Sequence, residues 1–87
     1  MDLARCFAVI SEVAAAHGAS SPEPLSADER TAVLDMARVV AHSVERSAAP
    51  LVSYAVGRVL AETAPTARLD LVRAIIDRVG AEVVTDV

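Results

Sequence analysis

Apolar residues recur at three- and four-residue steps in four stretches of this chain, and nowhere do they alternate long enough to make a strand. That pattern restricts the fold to helices. Over about residues 2–16, Leu3, Cys6, Phe7, Ile10, Val13, Ala14 and His17 fall on one helical face, while Arg5 and Glu12 point away. Gly18 is a natural stop, because glycine takes positive φ without a steric cost. The stretch Gly18–Leu25 (GASSPEPL) carries one Gly, two Ser and two Pro and reads as a loop.

A second helix over about residues 26–46 has the clearest start in the chain. Ser26-Ala27-Asp28-Glu29 spells a capping box, in which Ser26 caps and Glu29 reaches back to the Ser26 N–H. Val33, Met36, Ala37, Val40, Ala41 and Val44 form its stripe, which Leu34 and Val39 widen. A stripe that wide touches two neighbours, or one neighbour and a second subunit. Ser47–Pro50 (SAAP) is a tight connection, with Pro50 in the first turn of the next helix. That third helix, about residues 49–62, is apolar nearly all round and reads as central and buried. Gly57 within it suggests close helix packing, and Arg58 and Glu62 stand at ion-pair spacing. Thr63–Thr66 (TAPT) breaks the chain again before a fourth helix over about residues 67–79, with Leu69, Val72, Ile75, Ile76 and Val79 inward. Gly80 is expected to end it; residues 81–87 fit a frayed turn, an extended arm or disorder.

The reading is one domain, 1–87, all-α, an up-and-down bundle of about four helices. At 54% apolar content, largely Ala and Val, each helix contact buries little area. Such a core gains from being completed by dimerisation. The net charge is −4, every basic residue is Arg, and the signs alternate along the chain. The absence of a basic stripe argues against nucleic acid and against an anionic membrane surface. No apolar run is long enough for a membrane span and no signal-peptide pattern opens the chain, so the expected location is cytoplasmic. Cys6 is the only cysteine, which excludes a disulfide framework; on the apolar face it is expected to be buried.

Motifs that carry chemistry are missing. There is no Gly-rich phosphate loop and no histidine or carboxylate set at metal-ligand spacing, so neither a cofactor nor a metal site is expected. An acyl carrier would need Asp-Ser-Leu at the start of the second helix, where Leu25-Ser26-Ala27-Asp28 stands instead. One constellation remains. Arg38, His42 and Arg46 follow each other at four-residue steps along the polar edge of the second helix, with Glu45 beside them and Tyr54 one turn into the third. Histidine between two arginines and a glutamate can bind an anion or move a proton. The plainer reading of the same residues is a solvated face, or a polar network that fixes the corner. Tyr54 fits core packing with its hydroxyl at the surface, and His17 fits a helix cap.

The segment Val33–Leu51 (VLDMARVVAHSVERSAAPL) contains an Ala-His-x-x-Glu-Arg-x-Ala-Ala-Pro corner. In it the chain resembles a small actinobacterial family of helical domains of unknown function. Members of that family occur free-standing and as appendages to, or in association with, molybdenum-cofactor guanylyltransferases. The likeness is specific over about residues 33–57. Ser47 stands where the family favours Pro, and Val52–Gly57 (VSYAVG) where it favours Thr-Thr-Phe-Leu-Val-Gly. The resemblance implies that the corner is a functional surface and brings no reaction with it. The expected role is therefore a non-catalytic accessory or protein-interaction domain, acting as a homo-oligomer or beside a partner enzyme. The alternatives are a small-molecule binding module or small enzyme with a pocket near His42 and Tyr54, and a purely structural oligomer.

Overall fold

The computed structural model describes residues 1–85, and their side chains as far as Glu82. Four helices follow one another: α1 (Leu3–Ala16), α2 (Ala27–Ser43), α3 (Ala48–Ala61) and α4 (Pro65–Thr85). No strand occurs among the described residues, and the all-α, bundle-like architecture agrees with the helical periodicity. No helix among them is long and apolar enough to cross a membrane.

Local chemistry sets the ends. Asp2 caps α1 by accepting from the Arg5 N–H at 2.8 Å. His17 closes it, its ring Nδ1 donating to the Val13 carbonyl at 2.9 Å, and Gly18 turns the chain at φ +73°. The capping box of α2 is complete: the Glu29 N–H donates to Ser26 Oγ at 3.1 Å, and the Ser26 N–H donates to Glu29 Oε1 at 2.9 Å. That second bond favours the carboxylate and holds the Glu29 pKa below its usual 4.5. Being depressed in the folded state, Glu29 contributes stability above about pH 4.5, and the contribution is lost as pH falls through the lower folded value. Ser26→Ala should lower stability by about 1 kcal/mol in thermal unfolding at neutral pH. Glu29→Gln should also lower stability at neutral pH, and that deficit against wild type should shrink in acid as Glu29 is protonated; a deficit that stays flat down to pH 3 would refute the coupling.

Two boundaries depart from the periodicity. α2 ends at Ser43 rather than Arg46, with Val44 already outside helical geometry (φ −115°, ψ −82°). A helix continuing through the corner would drive the Pro50 ring into the Arg46 carbonyl, so the chain breaks first. α4 does not stop at Gly80 but runs on to Thr85. Gly80 keeps a negative φ, and Arg78 reaches Glu82 at 3.5 Å across it. Residues 86 and 87 of the expected tail lie outside the described residues.

The core is small. Ala32, Met36 and Val40 of α2 form one buried row, meeting Val56 and Leu60 of α3 and Val72 of α4. Leu69, Ile75 and Ile76 of α4 pack at its margin. The central helix is thus α2, which packs against both α3 and α4, as its wide stripe allowed. α3 is not central: Leu51, Tyr54 and Val59 stay exposed, because no helix closes over its outer side. The helix available to do so is α1, which has no buried residue. Its stripe of Leu3, Phe7, Ile10 and Val13 is 48–52% exposed, and Cys6, expected inside, is exposed as well.

Candidate interaction site

The corner residues are all at the surface, but they do not form one continuous edge. Arg38 and His42 lie on α2, whereas Glu45 and Arg46 sit in the turn that follows it. The four-residue step from His42 to Arg46 is therefore not a helical step. Arg38 is drawn backwards to Asp35, Nη2 to Oδ1 at 2.9 Å. Among the described residues no side-chain hydrogen bond or ion pair joins any two of Arg38, His42, Glu45, Arg46 and Tyr54. Tyr54 is 67% exposed and engages Arg58 instead of the corner. The Arg58 guanidinium donates to the tyrosine hydroxyl at 3.3 Å and lies 6.0 Å from the ring centroid. That contact displaces the expected Arg58–Glu62 pair. The corner is a set of separately solvated groups, able to meet a partner surface but not pre-assembled around a small ligand.

A concave surface does exist, elsewhere. Between α1, the 18–25 loop, α2 and α3 lies an open groove of about 940 Å³. Leu3 and Phe7 form one wall, Val33 and Leu34 the other, and Leu60 and Gly57 line it from α3. Gly57 does not serve close packing: a methyl group built on it meets nothing within 4 Å. Neither His42 nor Tyr54 reaches this groove.

At one end of the groove sits a residue that periodicity did not single out. The Arg68 side chain is only 13% exposed. Its Nε donates to the carbonyls of Leu60 and Thr63, both at 3.2 Å, satisfying acceptors at the C-terminal end of α3. Its Nη1 meets Glu23 Oε2 at 2.7 Å and so fastens the 18–25 loop to the α3–α4 junction. A basic residue four positions into a helix is ordinary in sequence. The clue lies in the preceding turn, whose short Thr63–Pro65 path leaves carbonyls facing that first turn. Among the described residues no three His, Cys, Asp or Glu side chains gather as ligands for a metal ion.

The chain belongs to the family of the domain of unknown function DUF6457, whose model matches residues 2–85. No curated protein and no solved structure matches it.

Proposed function

We propose that this member of the family is a non-catalytic accessory domain that works by binding other protein surfaces. The observation that carries the reading is α1, an amphipathic helix whose apolar face is left half exposed. Contiguous exposed apolar surface on a small domain marks an interaction site. The exposed Arg38, His42, Glu45 and Arg46 add a mixed-charge patch at the α2–α3 turn, and Tyr54 lies on the exposed side of α3. Such a patch suits the polar rim of a partner contact better than a closed pocket. From the resemblance in the 33–57 segment, the partner is a cytoplasmic biosynthetic enzyme, with a molybdenum-cofactor guanylyltransferase the first to try. The domain itself needs no cofactor, metal, nucleic acid or membrane for this role. The test is capture of that guanylyltransferase by the tagged chain, compared with the Arg38→Ala/Arg46→Ala double variant. Capture is expected to be lost with helicity unchanged. Undiminished capture would remove the corner from the interface, and no capture by wild type would remove this enzyme as the partner.

The groove favours one further reading, a small-molecule binding module. Its walls are apolar and its volume matches a drug-sized ligand. An occupant would raise the melting temperature by mass action, so a metabolite screen that leaves the midpoint unmoved counts against it.

A further inference from the structure

We infer that the occupant of the α1 face is α1 of a second copy of this chain, packed antiparallel about a two-fold axis at Ile10. The inference rests on the interaction reading above for the α1 face alone, and leaves the enzyme partner to the α2–α3 corner.

The first argument is area. The chain exposes 6513 Å², whereas a compact chain of 9.1 kDa exposes about 4,900 Å². Its radius of gyration is 14.5 Å, against about 12 Å for a compact domain of this length. The surplus of about 1,600 Å² is twice what each partner buries in a standard protein interface. That surplus belongs to the whole chain; the share of it on α1 is the half-exposed side of Leu3, Phe7, Ile10 and Val13.

The second argument is the spacing. Leu3, Phe7, Ile10, Ala14 and His17 follow at steps of four, three, four and three, the 3.5-residue period of a helix–helix seam. Placed antiparallel about Ile10, that seam is self-complementary. Ile10 meets its own copy, Phe7 meets Val13 of the second copy, and Cys6 meets the small Ala14. In the layers flanking the Ile10 pair a larger residue faces a smaller one, so the helices can approach without a clash.

The third argument is charge. The only charged residues of α1 are Arg5 and Glu12, and they are already paired with each other at 3.3 Å. A face without net charge gives no hold for an oppositely charged partner. It presents no repulsion to an identical face, although the whole chain carries −4.

The test uses the full chain. In sedimentation equilibrium at micromolar concentration, wild type should run at twice 9.1 kDa and Ile10→Glu at 9.1 kDa, with the cooperative unfolding of the α2–α4 core retained. In a Cys6→Ser background, Ile10→Cys should cross-link into a disulfide dimer under mild oxidation, because residue 10 faces itself. Leu3→Cys should not, because its two copies stand about 21 Å apart along the seam. Equal cross-linking at both positions overturns the antiparallel register. A wild-type chain that stays at 9.1 kDa up to hundreds of micromolar overturns the second copy as occupant. Neither outcome touches the capture experiment at the α2–α3 corner, so the two readings fail separately.

Discussion

Met36→Ala is expected to remove about 3 kcal/mol of stability. Met36 is 1% exposed and occupies the middle of the only buried row of α2, between Ala32 and Val40 and against α3 and α4. Truncation removes its contacts and leaves a void that short neighbours such as Ala32 and Val72 cannot refill. A domain of this size has a net stability of only about 4–13 kcal/mol. A loss of this size should therefore lower the melting midpoint by more than about 10 °C. Met36→Leu, which nearly conserves volume, should cost less than about 1.5 kcal/mol and serves as the control. Thermal and denaturant unfolding of the three proteins decide it. If Met36→Ala moved the midpoint no further than Met36→Leu, the small core described above would not be what holds the chain together.

Arg68→Ala is expected to cost about 2 kcal/mol, and Glu23→Gln no more than about 0.5 kcal/mol. The asymmetry follows from exposure. Arg68 is largely enclosed and serves two carbonyls, whereas the Glu23 side chain is 69% exposed and water can replace it. Losing Arg68 leaves the Leu60 and Thr63 acceptors without this donor and also frees the 18–25 loop. Limited proteolysis should then cut within Gly18–Leu25 faster in Arg68→Ala than in wild type. A Glu23→Gln deficit as large as that of Arg68→Ala would mean that the ion pair, not the carbonyl bonds, is the fastening.

The positions of the helices were legible because burying one face needs a period near 3.6, and the capping box and Gly18 mark ends by chemistry local to a few residues. What periodicity cannot carry is the identity of the surface that covers a stripe. Phe7 and Ile10 read like Met36 and Val40, yet only the second pair is inside. The ranking of α3 as central failed for the same reason, since an apolar circumference records what could be covered. The early end of α2 had a signal in Pro50, whose conflict is with the carbonyl four residues before it. Gly80 gave an ambiguous one. Its helical penalty of about 1 kcal/mol is small enough for good helix formers such as Ala81 and Glu82 to override. Of the candidate site, the residue types and their exposure could be read, but their mutual distances could not. Those depend on where α2 ends, and on the competing partners Asp35 and Arg58.

The open state of α1 bears on how the chain gains its order. A helix of 14 residues with no buried side chain lies near the length at which isolated helices are only marginally formed in water. Its cap at Asp2, its closure at His17 and Gly18, and the Arg5–Glu12 pair are local supports of modest strength. The three remaining helices share the buried cluster and do not depend on it. The molecule therefore divides into a cooperative unit spanning α2 to α4 and an N-terminal segment that frays at much lower free energy. Any surface that covers α1 must first supply the entropy of holding it helical, which weakens the contact but lets occupancy switch the segment's structure. In that sense the first helix behaves as a conditional element, whose folding reports whether its face is occupied.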